Sequence, residues 1–592
     1  MLRRAGHGAT PRVCRTCHEL LERTGTLGDQ DRGLLDWLDQ PSTERGLYYA
    51  DSADGWDFWS YRDLAALVLR TAAALRAQGV GQGDVVALVL RSSPGFVAGF
   101  FGALAAGATP CSIPPPFAFQ HADEYERHAS HLFGTAAPRF TVCDDESLEQ
   151  IRKIASGLGL EEPVAFNELV LGAEPLERPM PLPETALIQF TSGSSGFSRG
   201  VLISADALRT NLAGMGQWLG CAPQYPAISW LPVHHDMGLV GFLLNVVVTG
   251  FDGWMMQPDD FIRSPLRYLR CISDQGAVMT AMPNFGLAYI LRRVRPADLR
   301  ELRFDSVRCV IIGAERVDRQ VLDDFHALLG PHGLDRGALL PAYGSAEATL
   351  AVTGLAPGEG WSAQAPDAGD AASLAGAAVV GCGRPLEGRT VRILSEEGEE
   401  LPDGRVGEIV VTGVSIASGY IGTTGSASGT SVGDGGLATG DAGFLRDGQL
   451  FVIGRLGDGL KVNGKMVFAE SLEALLHHRG IPERRVAVLL GVRDGVPTGV
   501  AVFGGVRPGW REAAHEVLSA WLGDAELHLV ELPRGGVSVT SSGKPRRRVI
   551  WKALCAGEFD ATTRPLTAEA EEGAEADKEK DAEAEKAQVA AG

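Results

Sequence analysis

Several short stretches carry side chains able to handle a charged, phosphorylated substrate. The first is Thr191 to Gly200, TSGSSGFSRG. Its glycines let backbone N–H groups approach a ligand closely and its hydroxyls add donors, so the loop can wrap a polyphosphate chain. It lacks GxxxxGK[ST] and so is not the common P-loop, and a Ser/Gly hairpin turn explains it equally well alone. His234-His235-Asp236 stands in LPVHHDMGLV, Glu315 ends VRCVIIGAE, and Glu347 lies in LLPAYGSAEATL. Asp441, Arg455 and Asp458 occupy Gly-Asp turns after Thr430, and Lys544 follows a glycine in VTSSGKPRRR. Taken singly, each has a plain explanation: a glutamate complements a helix N-terminus, Asp-Gly pairs make turns, and the basic run begins a solvated helix.

The elements that must position these residues read as an α/β chain. ALIQF and VLIS, strand-like runs, flank the first loop. Helical spacing over Tyr61 to Gly79 leads into VVALVL, and a helix from Pro94 to Ala106 leads into a strand ending at Cys111-Ser112. Such alternation, with strands too apolar for one exposed face, implies mostly parallel sheets covered on both sides. The histidines fall at a strand-to-helix junction, where open α/β sheets hold ligands. Short runs between Val379 and Thr412 suggest a small antiparallel β subdomain. From about Leu460 a smaller α+β unit follows, with helices at Ala469 to His478 and Trp510 to Leu522. Expected boundaries are an irregular leader over 1–30, a large domain over 31–456 with a loop or insertion at 354–378, a small domain over 457–562, and an acidic low-complexity tail over 563–592.

Composition narrows the function. The chain of 592 residues is 45% hydrophobic and 22% charged, with a net charge of −20. That balance suits a globular enzyme of more than one domain and argues against nucleic acid as a partner. No apolar segment follows the basic start and the Ala/Gly-rich stretch from Phe96 is broken by Pro110, so neither a secretory signal nor an integral membrane segment is expected, and the location reads as cytoplasmic. The nine cysteines are scattered, as reduced thiols are. Cys14-Arg15-Thr16-Cys17-His18 matches a haem-attachment string, but without an export signal or a second ligand pair it reads as coincidence.

In their order and separation, TSGSSGFSRG, LPVHHDMGL, YGSAEAT, ATGDAGF with FVIGRLGDGLKVNG, and TSSGK resemble the adenylate-forming superfamily of AMP-binding enzymes. PPPF, MPNFGLAY and GCGRPL are most similar to its fatty acyl-AMP ligases, relatives of the long-chain acyl-CoA synthetases. The resemblance implies ATP and Mg²⁺, a carboxylic acid substrate, and a phosphopantetheine thiol as acceptor, on an acyl carrier protein or coenzyme A. It implies that Thr191, Ser192, Gly193, Ser194, Ser195, Gly196 and Arg199 hold the phosphates and that Glu347 binds Mg²⁺. Gly313, Ala314, Glu315, Tyr343 and Gly344 would frame the adenine, and Asp441 and Arg455 would hold the ribose. Lys544 would bridge the α-phosphate and the attacking carboxylate, His235 would border the acid pocket, and Asp458 would be the hinge of a mobile small domain.

Departures from the family pattern are Arg199 in place of lysine, Phe197-Ser198 in place of Thr-Pro, glycines on both sides of Asp458, which should loosen the hinge, and Pro545 after Lys544. The resemblance thus implies acyl adenylate formation and then transfer to a thiol. Rival readings are an acyl-CoA ligase, an adenylating enzyme of natural-product biosynthesis acting on an aryl acid or nitrite, and a catalytically weak scaffold.

Overall fold

The structure is a computed structural model that describes residues 33–51, 54–116, 122–191, 198–220, 225–367, 378–422, 430–433, 436–462, 465–493, 495–523, 525–539 and 544–566. Ser192, Gly193, Ser194, Ser195 and Gly196, the Cys14/Cys17/His18 cluster, the whole expected leader and the tail from 567 lie outside the described residues, as do 368–377 of the expected insertion.

Two largely parallel sheets form the large part of the molecule. One is nine-stranded, and its central strands Leu339–Gly344, Cys309–Gly313, Met279–Pro283, Ala227–Ser229, Gly253–Met255 and Gly46–Ala50 pair in parallel, with antiparallel strands at both edges. The other is seven-stranded: Thr185–Phe190, Thr109–Ser112, Val85–Val89, Phe140–Cys143 and Val164–Ala165 run parallel, and Gly200–Ser204 and Gly419–Tyr420 close one edge antiparallel. The apolar strands are buried from both faces, as the sequence reading required. Beyond them lies the antiparallel β subdomain, Arg389–Leu394, Gly407–Gly413, Gly436–Arg446 and Gln449–Arg455 with a short edge strand. The C-terminal part is a four-stranded sheet with its own buried core, helices Ala469–His478, Trp510–Leu522 and Arg547–Cys555, and a hairpin just after Asp458. Among the described residues no helix is long and apolar enough to cross a membrane.

The helix Ala205–Leu219 shows how local sequence fixes a wall of the site. Ser204 accepts a bond from the Ala207 N–H at 3.1 Å, and Gly220, at φ 57°, ends the helix in the left-handed conformation. Inside it, fully buried Asn211 donates to the Ala348 and Ala351 carbonyls at 3.0 and 3.2 Å and accepts from the Ala351 N–H at 3.3 Å. One amide thus ties the helix to the YGSAEAT segment. After the histidines, Leu239–Leu244 winds as a π-helix, a wider turn frequent at functional sites.

Asn211→Ala leaves buried backbone groups without partners and is expected to lower unfolding free energy by about 2–4 kcal/mol. Urea unfolding of the two proteins measures this; a difference below about 0.5 kcal/mol would show that the tie carries no weight.

Candidate active site

Strand ends from both sheets open into one cleft, and the small C-terminal part lies against it. Two adjoining cavities occupy the cleft. The larger, of about 280 Å³, is bordered by Ala314, Glu315, Tyr343, Gly344, Asp441, Arg455, Asp458 and Lys544. The smaller, of about 150 Å³, is bordered at one end by Thr191, Arg199, His235, Glu347, Arg455 and Lys544 and elsewhere by apolar side chains. Gly313 lines this one too. Every described residue to which the family resemblance gives a site role therefore borders one cavity or both, and Lys544, Arg455, Tyr343, Gly344 and Ala314 border both.

The larger cavity is built on a cross-strand pair. Asp441 and Arg455 face each other in register on neighbouring strands and form an ion pair, with Nε 2.8 Å from Oδ1, and the Tyr343 hydroxyl donates to Oδ2 at 2.6 Å. The Asp441 carboxylate raises the Arg455 pKa further, and burial next to that carboxylate pushes the Tyr343 phenol far above its ordinary value. Ala314 adopts φ 65° just past the strand Cys309–Gly313, a left-handed turn uncommon for a residue with a Cβ. The turn delivers Glu315, which accepts from the Phe285 N–H at 2.6 Å, near the start of the helix Asn284–Arg293. The helix-terminus explanation and the cavity position hold together: one carboxyl does both. Burial pushes that carboxyl up to about 7, against the pull of the Phe285 N–H and Lys544.

Arg199 does more at the smaller cavity than close the glycine loop. Its N–H donates to Thr191 Oγ1 at 3.1 Å and its carbonyl accepts from the Thr191 N–H at 3.0 Å, so the ends of the loop are pinned together. Its guanidinium donates to Glu347 Oε1 at 3.2 Å and lies 3.8 Å over the Tyr420 ring, whose hydroxyl donates to the same oxygen at 3.0 Å. The planar guanidinium suits this stacking in a way a lysine ammonium does not. Glu347 is only 6% exposed, on a short turn ending at Thr349, which holds φ 69°, strained for a β-branched residue. His235 Nδ1 pairs with Asp236 Oδ1 at 2.7 Å, and its buried Nε2 has no hydrogen-bond partner among the described residues. A polar ligand atom in the cavity fits that nitrogen.

Lys544 reaches this place on the small part. Burial lowers its pKa, and the carboxylates of Glu315, Asp236 and Asp441 oppose that drop while Arg455 adds to it. The basic run after it is not a solvated helix start. Arg547 is buried and donates to Asp458 at 3.0 Å, Glu470 at 2.8 Å and Glu473 at 2.6 Å. The glycines beside Asp458 therefore border a carboxylate held by a buried guanidinium, and Gly457 makes room for Arg548, whose Nη2 would stand 2.3 Å from an added Cβ.

Asp236, Tyr420, Arg547 and the apolar cavity wall were not found from the sequence. Asp236 was quoted with its histidines without a role, and Tyr420 meets Glu347 only through the pairing of Gly419–Tyr420 with Gly200–Ser204, which no local pattern announces.

The AMP-binding enzyme family model matches residues 38–421. The 4-hydroxyphenylalkanoate adenylyltransferase of Mycobacterium tuberculosis (strain ATCC 25618 / H37Rv) is 30% identical over 510 residues, covering 78% of this chain and 81% of that protein. A long-chain-fatty-acid–AMP ligase of Mycobacterium marinum (strain ATCC BAA-535 / M) is 27% identical over 513 residues, covering 78% and 86%. A structure from studies of fatty acyl-adenylate ligases of E. coli and L. pneumophila superposes with a TM-score of 0.81 at 27% identity, covering 89% of this chain and 99% of that one.

Because Glu315 titrates near 7 rather than at the ordinary 4.5, its contribution to stability is full below about 4.5 and is lost as pH rises through 7. Glu315→Gln keeps an acceptor for the Phe285 amide and removes the charge. The variant's stability relative to the parent is expected to rise by on the order of 2 kcal/mol between about pH 5 and pH 8 in urea unfolding. Parallel pH profiles would contradict this reading of Glu315.

Proposed function

The chain belongs to the AMP-binding enzyme family, and from that premise we propose that it activates a carboxylic acid with ATP and passes the acyl group to a thiol. The carboxylate attacks the α-phosphorus, an O–P bond forms, and the bond to pyrophosphate breaks. A phosphopantetheine thiol, on an acyl carrier protein or coenzyme A, then attacks the acyl carbon and AMP leaves. The observation that carries this reading is the position of Lys544, at the border of both cavities, where one cation can touch an α-phosphate and an acid together.

The larger cavity takes the nucleoside. Asp441, already oriented by Tyr343 and Arg455, accepts the ribose hydroxyls, while Gly313, Ala314, Glu315 and Gly344 frame the base. Thr191 and Arg199 anchor the phosphate loop, and Ser192 to Gly196 complete it. His235 offers Nε2 to the acid. Glu347 suits Mg²⁺, since this ion usually takes one or two carboxylates and fills its shell with phosphate oxygens and water. Bound there, Mg²⁺ neutralises charge on the phosphates. Asp458 is the hinge between a large domain ending near 456 and a lid over 457–562, and Arg547 joins that hinge carboxylate to Glu470 and Glu473 within the lid. Cytoplasmic ATP and thiols suit both steps. The relatives' printed activities, adenylyltransferase and fatty-acid–AMP ligase, support the adenylate.

A panel of alkyl, aryl and amino acids and nitrite with Mg·ATP, with and without coenzyme A or a carrier protein, tests the reading through pyrophosphate release. Release with a carboxylic acid supports it, free acyl-CoA in quantity would shift it to a CoA ligase, and release with nitrite alone would overturn it. Lys544→Ala is expected to slow acid-dependent release by about 10²–10³-fold, the loss typical of one transition-state donor, while thiol transfer from added acyl adenylate changes by less than about threefold. Equal loss in both steps would show that Lys544 has no step-specific role.

A further inference from the structure

Away from Lys544 the smaller cavity is apolar: Met215, Trp218 and Leu219 come from the helix Ala205–Leu219, and Met237, Ile311 and Leu350 from its surroundings. The whole cavity, its polar end included, measures about 150 Å³, comparable to a cavity that accepts a single benzene ring. A long acyl chain would have to continue past the helix face that carries Trp218.

That face is held from behind. Asn211, Met215 and Trp218 follow i, i+4, i+7 spacing and share one side of the helix. Asn211 ties one end of this side to Ala348 and Ala351. At the other end the indole N–H of Trp218 donates to the Leu355 carbonyl at 2.7 Å. Its ring lies directly on the strand Ala351–Gly354: a Cβ added to Gly354 would stand 2.1 Å from the ring. The indole therefore has no space on that side, and swinging it away would break its bond to Leu355. Met215 and Met237 bring thioethers that pack well against an aromatic ring as well as an alkyl chain.

Building on the acid-activation reading, we infer that the substrate is an apolar acid whose acyl part is no larger than one aromatic ring with a short alkyl chain, and that Trp218 sets this limit. Long-chain fatty acids are excluded by the wall, while the phosphate and ribose contacts are indifferent to chain length. Removing the indole lengthens the cavity along the helix without touching the residues around the α-phosphate.

The test is acid-dependent ATP–pyrophosphate exchange by the full-length chain with hexanoate, benzoate, 3-phenylpropanoate, laurate and palmitate, for the parent, Trp218→Ala and the milder Trp218→Leu. The parent is expected to prefer its best small acid over palmitate by at least about 100-fold in kcat/KM, the scale of a pocket that rejects by shape. Either Trp218 variant should shrink that ratio at least about tenfold, mainly by gaining activity on laurate and palmitate, a gain that mere loss of structure cannot produce. A parent that turns over palmitate within about tenfold of hexanoate overturns the inference and leaves acid activation standing. So does an unchanged ratio in both variants when they retain activity on small acids. Exchange with none of the acids, in a parent whose folding is verified by circular dichroism, overturns the acid-activation reading itself and the size limit with it.

Discussion

An ammonium group taken out of water must be met by opposite charge, and that requirement shapes both parts of this molecule. Lys544 enters the cleft from the small part, where burial disfavours its charge. The carboxylates that restore it, Glu315, Asp236 and Asp441, all belong to the large part and come from different elements: the turn after the strand Cys309–Gly313, the helix start at Asp236, and the strand Gly436–Arg446. Each is itself oriented by a neighbour: Glu315 by the Phe285 amide, Asp236 by His235, Asp441 by Tyr343 and Arg455. The lysine is thus met by carboxylates already fixed in place, so little reorganisation is left for the moment when charge builds on a substrate.

The same logic operates inside the small part. Arg547, three residues after Lys544, brings Asp458, Glu470 and Glu473 to one guanidinium, and burial leaves Glu470 pushed up to about 7 despite that contact. Breaking a buried pair of this kind strands a charge, so the segment that carries Lys544 is fixed to its own small part and to the residue at the domain junction. At the other side of the cleft, Arg199 and Tyr420 hold Glu347 so that its carboxylate is aimed before any ligand arrives. Strained backbone at Ala314 and Thr349 sits beside these carboxylates, where bond networks are dense enough to maintain it.

Much of the fold was legible because period and capping agree locally. The helices Ala469–His478 and Trp510–Leu522 have the limits their spacing implied, and the two runs that flank the loop after Thr191 are strands, paired antiparallel. The collinear motifs also converge: their described residues line adjoining cavities although they are spread from Thr191 to Lys544. What could not be read depends on pairing between distant segments. Tyr420 reaches Glu347 through the edge of a sheet, and Trp218 becomes a wall through contacts with Gly354 and Leu355. Arg547 looked like surface because a basic run usually is; its acidic partners are far away in sequence. The glycines beside Asp458 suggested a loose joint, a reading that chain chemistry supports but that ignores the guanidinium on the carboxylate between them.

Attack of a carboxylate oxygen on the α-phosphorus leaves an isotopic record, and following it is the most direct measurement. The acid is supplied with ¹⁸O in its carboxylate, the activated acyl group is captured by hydroxylamine or a thiol, and the AMP is weighed by mass spectrometry. The two-step route requires one labelled oxygen in each AMP formed, because the acyl carbon leaves without the oxygen that attacked phosphorus. AMP without label, or label in the pyrophosphate or phosphate released, would contradict adenylate formation and remove the role assigned to Lys544.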